Sequence, residues 1–178
     1  MKAILISIQP KWCEIIVHDS YIRADAYGAV KKLEIRKTKP NVKLPIEVYI
    51  YCCEPHSNGK VFAKFTLNEI LDIDYSTIKN DYDYVPLTGL YKKDIVKYAN
   101  GNPLFGWKID NLIIFDKPKE LKEFKTLPCE KPERACQNCK FLVVTDNWMN
   151  GREMDCYVED GKYITRPPQS WQYVQNND

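Results

Sequence analysis

Hydrophobic and polar positions alternate along much of this chain, and the period changes from segment to segment. Residues 3–8 (Ala3-Ile4-Leu5-Ile6-Ser7-Ile8) form a short apolar run that predicts a buried strand. Pro10 follows where its fixed φ suits a first helical turn, and Trp12, Ile15 and Ile16 recur at helical spacing, so 10–18 is predicted as a short amphipathic helix. Three period-two segments come next. Leu33 and Ile35 oppose Lys32, Glu34 and Arg36; Ile46, Val48 and Ile50 oppose Glu47, Tyr49 and Tyr51; Val61, Ala63, Phe65 and Leu67 oppose Phe62, Lys64 and Thr66. A helix is predicted from Lys92 to Asn100, ended by Gly101, and further strands over 104–115 and 170–175. Strands near 3–8, 31–37, 46–52, 60–69, 104–115 and 170–175 are expected to form one curved, mostly antiparallel sheet with short flanking helices, an α+β fold.

Composition narrows the class. The 178 residues are 44% hydrophobic and 28% charged, as in an ordinary globular protein. No apolar run approaches the roughly 18 residues needed to span a bilayer, and the apolar start is broken by Gln9, Pro10 and Lys11, unlike a signal peptide. The expectation is a cytoplasmic protein that does not enter a membrane. The net charge of +2 conceals an uneven distribution. Six basic residues against Glu34 lie between Lys31 and Lys43, and four aspartates against Lys79 between Asp72 and Asp83. His18 and His56 are the only histidines and have no Ser or Cys partner in a recognisable motif, so a histidine-dependent triad is poorly supported. Seven glycines leave little room for a phosphate-cradling loop.

Five motifs, in order, resemble one family. They are Ile4 to Trp12, Glu34-Ile35-Arg36-Lys37-Thr38-Lys39-Pro40, Gly59 to Ile70, Tyr98 to Trp107, and Thr165-Arg166-Pro167-Pro168-Gln169-Ser170-Trp171. Together they resemble ASCH domains of the PUA-like class, the last motif resembling the branch common in phages and prophages. The resemblance implies a PUA-like pseudo-barrel with a polar cleft facing RNA or a modified nucleoside. It places the ASCH domain at 1–126 and 164–178, interrupted by a Cys-rich insertion at 127–163. Some members are amidohydrolases of N4-acetylcytidine that use a Lys, a Thr and a Glu. By register these fall on Lys31, Glu34 and Lys64, so only the lysine is kept and that chemistry is not expected.

The candidate ligand-binding residues are Trp12, Lys32, Glu34, Arg36, Lys37, Lys64, Thr66, Gln169 and Ser170, with Lys31 the one candidate catalytic group. Arginine beside a carboxylate can read a base edge or a phosphate through paired donors, and Trp12 can stack on a base. An outward-facing, ion-paired sheet surface is the plain alternative. Arg36→Ala is accordingly expected to weaken binding with little effect on melting. Trp107 and Trp171 are read as core or cleft-wall residues.

Cysteine spacing adds a separate feature. Cys129, Cys136, Cys139 and Cys156 stand as C-x6-C-x2-C-x16-C, and the C-x2-C element can present two thiolates to one metal. A structural zinc ion is expected here, with disulfides or unligated thiols as alternatives. Cys13, Cys52 and Cys53 read as packing residues. The functional expectation is an RNA- or modified-nucleoside-binding module with a basic cleft. The alternatives are a divergent nucleoside amidohydrolase or ribonuclease, and a phage-derived module that meets a protein partner through the Cys-rich insertion.

Overall fold

Strand β1 (Lys2–Ile8) is an interior strand with both of its faces apolar and buried. Ile4, Ile6 and Ile8 point into the main core, and Ala3 and Leu5 into a second cluster on the other face. The structure is a computed structural model of the chain and describes residues 1–17, 31–53, 59–80, 85–128, 142–147, 151–156 and 160–176. Helix α1 (Pro10–Val17) follows β1 and buries Cys13 and Ile16 against the main core. Then come β2 (Leu33–Arg36), β3 (Ile46–Cys52), β4 (Val61–Leu67) and β5 (Ile70–Ile73), the one-turn α2 (Val85–Thr88) and helix α3 (Lys92–Ala99). Strands β6 (Leu104–Lys108) and β7 (Asp110–Lys119), the hairpin β8 (Leu142–Asn147) and β9 (Gly151–Cys156), and β10 (Trp171–Gln175) complete the order.

The expected single, mostly antiparallel sheet is replaced by two. A five-stranded sheet runs β10-β1-β3-β4-β7, and a three-stranded one β2-β6-β5. The larger is mixed, since β1 and β3 are parallel. The run 104–115, read as a single strand, bends from the small sheet into the large one, and the strand expected over 60–69 ends at Leu67, after which the unanticipated β5 carries the chain into the small sheet. The corners are pinned by backbone bonds: Lys108 N–H donates to Glu69 O at 3.1 Å, and Ile109 N–H to Lys32 O at 2.9 Å. Alternation of side chains persists through a corner, so the sequence pattern does not register the change of partner. The result is a curved pair of sheets, and no closed barrel is formed among the described residues.

Trp107 of β6 ties the sheets together. It is fully buried in the main core, with its ring centroid 5.8 Å from that of Trp171 on β10. A third cluster, Leu33, Ile35, Ile73, Ile95, Ala99 and Leu104, packs α3 on the small sheet. Helix α3 ends as its sequence predicts, with Asn100 and Gly101 both at positive φ.

The predicted insertion leaves and returns at one place. Lys125 pairs with Tyr163, and Thr126 N–H donates to Lys162 O at 2.8 Å. Gly161 (φ 83°) is required at this junction, because a Cβ there would stand 2.1 Å from Thr126 O. Between these ends the hairpin β8–β9 pairs Leu142 with Cys156. Cys129, Cys136 and Cys139 lie outside the described residues, and Cys156 is placed only by its backbone. No helix among the described residues is long and apolar enough to cross a membrane.

Candidate functional site

A cleft of about 680 Å³ opens where β1, α1, β2, α3 and the chain entering β10 meet. Strand β2 supplies its floor. Leu33 and Ile35 go to the α3 cluster, so Glu34 and Arg36 must point the other way, as the period-two pattern implied. They do not reach solvent. Lys31, Glu34 and Arg36 are 4%, 7% and 6% exposed, which rules out the plain reading of an outward ion-paired surface.

The three form one buried ion cluster. Lys31 Nζ is 2.8 Å from Glu34 Oε2, and Arg36 Nε is 3.0 Å from Glu34 Oε1. Glu34 Oε2 and Arg36 Nε are poorly aligned for hydrogen bonding, so the attraction is chiefly that of close charges. The remainder of the Arg36 fork is spent on backbone. Nη2 donates to Ser7 O at 2.9 Å and Nη1 to Ser170 O at 3.2 Å. Arg36 therefore links the small sheet to β1 and to the entry of β10.

Burial alone would push the Glu34 carboxyl up, but Lys31 and Arg36 outweigh it and hold it below the usual carboxylate range. The folded state thus binds the Glu34 proton less readily than the unfolded chain. Stability arising from the cluster is complete above the ordinary glutamate value of about 4.3 and is lost as pH falls through the folded-state value. Glu34→Gln is expected to be less stable than the parent at pH 7, with the gap narrowing below about pH 4. Urea unfolding of both proteins from pH 3 to 7 checks this, and a gap independent of pH would refute it.

Helix α1 provides the aromatic wall. With Cys13 and Ile16 turned into the core, Trp12 is left half-buried at the cleft, its ring 5.0 Å from Lys31 Nζ. Helix α3 faces it with Asp94 and Tyr98, one turn apart on the same side. Burial raises the Tyr98 phenol, and Arg36 only partly opposes this, so the hydroxyl stays protonated at neutral pH. Cys53 also lines the cleft, but burial and then Cys52 push its thiol up, which makes it a poor nucleophile.

Of the residues singled out from sequence, Trp12, Glu34, Arg36 and Gln169 line this cleft together with Lys31. Five others lie elsewhere. Lys32 is exposed and holds Leu87 O through its backbone N–H. Lys37 stands over the Tyr98 ring at 5.1 Å, outside the lining. Ser170 accepts from Arg36. Lys64 is 3.1 Å from Glu47, and it shares with Thr66 the face of β4 opposite Ala63, Phe65 and Leu67. Asp94 and Tyr98 were not anticipated. Their i,i+4 spacing is visible in the sequence, but nothing local marks that face of α3 as a cleft wall rather than a solvated one.

Among the described residues the lining holds three cations, Lys11, Lys31 and Arg36, against two carboxylates, Glu34 and Asp94. The basic cleft of the sequence reading is thus close to charge balance.

No protein-family model and no curated protein sequence matches the chain. Among solved structures it resembles the ASCH protein of Zymomonas mobilis, with a TM-score of 0.57 and 16% identity over 98% of this chain and 88% of that one. A serine-to-alanine variant of that protein gives 0.58 and 17%, covering 98% and 89%. A tyrosine-to-phenylalanine variant gives 0.57 and 16%, covering 99% and 92%. The fold is therefore the ASCH fold, an α+β arrangement of mixed sheets with short helices. The identity is too low to carry anything beyond the fold.

Proposed function

We propose that the cleft binds a flat, uncharged base, carried by single-stranded RNA or presented as a free or modified nucleoside. The observation that carries this reading is the half-buried Trp12 ring set beside the buried cluster of Lys31, Glu34 and Arg36, which keeps one positive charge in excess. An aromatic face attracts any base, and a floor whose arginine is already engaged by Glu34, Ser7 and Ser170 is poorly placed to take a phosphate. The volume lies within the range of small-ligand sites, roughly 300–1,000 Å³. Phosphates of a flanking strand would meet cations outside the lining, among them Lys32, Lys37 and Lys39. Lys39 is exposed and stands over the Phe105 ring at 4.8 Å.

Titration of intrinsic tryptophan fluorescence with nucleosides and with short single-stranded RNAs tests the proposal. Nucleoside affinity is expected to be nearly independent of salt, while RNA affinity falls with log salt at a slope of about −0.7 per neutralised phosphate. Absence of binding by any nucleoside or RNA would refute it. Hydrolysis gains no support from the geometry. The position that the family resemblance assigns to the acid is Lys64, outside the cleft, and Glu34 is an ionised ion-pair partner.

We further propose that Cys129, Cys136, Cys139 and Cys156 hold one structural zinc ion within an insertion spanning 127–163. Support comes from the thiolate donor set and from the hairpin register. Leu142, opposite Cys156, follows Cys139 by only three positions. Four thiolates would leave no open position for catalysis. Elemental analysis of protein purified in reductant is expected to give one zinc per chain, and about none after Cys136→Ser with Cys139→Ser. A metal-free parent protein would refute the site.

A further inference from the structure

The hydrogen-bonding groups that the cleft leaves open are unequal in kind, and this limits which base can be bound. Both Glu34 oxygens face cations, and both terminal nitrogens of Arg36 are committed to Ser7 and Ser170. Within the buried cluster Lys31 keeps the most spare donors, because its ammonium has three N–H groups and one carboxylate contact among the described residues, whereas Arg36 has a single N–H of Nη2 left over. Asp94 is the counterpart on the opposite wall. It is half-buried, and among the described residues its carboxylate has no hydrogen-bond or ion-pair partner. An ionised carboxylate can only accept, and a Lys ammonium can only donate.

From this we infer that Asp94 is the specificity-determining residue of the cleft, selecting guanine, with its two adjacent N–H donors, over uracil. The inference rests on the base-binding reading above and deepens it. A base stacked on Trp12 must offer N–H donors to Asp94 and an acceptor to Lys31. Guanine supplies two adjacent N–H donors beside a carbonyl, whereas cytosine and adenine set a ring-nitrogen lone pair beside their amine. Uracil has a single N–H flanked by two carbonyl oxygens. Against a carboxylate it gains one bond and sets its own lone pairs against the second oxygen, a repulsion that the water outside the cleft relieves.

Asp94→Asn is the decisive variant, since it conserves shape while adding a donor. Its carboxamide matches the acceptor–donor edge of uracil, so the preference should move toward uridine. The parent protein is expected to bind guanosine about tenfold or more tighter than uridine in fluorescence titration. Asp94→Asn should weaken guanosine about tenfold and narrow or reverse its margin over uridine. Because Asp94 supports no other described side chain, the melting temperature of the variant should stay close to that of the parent. Equal binding of uridine and guanosine by the parent would overturn the inference while leaving base binding intact, as would an unchanged ratio in Asp94→Asn. Failure of every nucleoside to bind would overturn both.

Discussion

Arg36→Ala is expected to destabilise the protein by about 3 kcal/mol or more, the cost typical of removing one partner from a buried ion cluster. For a chain of this size that corresponds to a fall in melting temperature of about 6–12 °C. Three losses act together. Glu34, buried and ionised, keeps only Lys31. The carbonyls of Ser7 and Ser170 lose their donor. A cavity replaces a long side chain between two sheets. This reverses the expectation from sequence, in which Arg36 lined the cleft from the polar face of its strand and could be removed at little cost to stability. Arg36→Lys should recover part of the loss, since one ammonium restores the charge but cannot span Glu34, Ser7 and Ser170. Thermal and urea unfolding of both variants measure this. An Arg36→Ala protein melting within about 1 °C of the parent would refute the role, since one lost kilocalorie already shifts a chain of this size by about 2–4 °C.

Trp12→Ala is expected to have the largest effect on binding. Stacking of a base on an aromatic side chain contributes about 1–3 kcal/mol, so affinity should fall by about 5- to 150-fold. Trp12→Phe retains an aromatic face and should recover most of that affinity. The phenylalanine variant also controls for packing, because the Trp12 ring meets the space around Gly89 as well as the cleft. Calorimetric titration with the best-binding nucleoside distinguishes the cases. If Trp12→Ala binds as the parent does, the ring serves as a wall alone and the base must lie elsewhere.

The sequence marked several elements closely because their signals are local. Pro10 with the spacing of Trp12, Ile15 and Ile16 defined α1, observed at Pro10–Val17. Asn100-Gly101 defined the end of α3, whose left-handed cap only such residues adopt readily. The apolar run after Met1 defined β1, buried on both faces. Period two also fixed which side chains of β2 share a face, and Glu34 and Arg36 do lie together, opposite Leu33 and Ile35.

What that face meets was decided elsewhere in the chain. A strand repeats every two residues whether its polar side looks at water or at another layer, so Arg36 carries the same local signal in both cases. Its burial depends on Ser170, 134 residues away in sequence, and on Ser7. The same holds for the corners at Glu69 and Ile109, where alternation continues while the hydrogen-bonding partner changes. Lys64 and Arg36 carry like charge on like-patterned strands, yet one pairs with Glu47 on the outer face of β4 and the other closes the cleft. Asp94 and Tyr98 became cleft residues only because α3 packs its Ile95 and Ala99 face on the small sheet, turning the neighbouring face toward Trp12. Sequence alone determined the elements and their faces, since both are set by dihedral preference and period. Tertiary structure decided which faces meet and which charges are buried, because those depend on contacts between segments far apart along the chain.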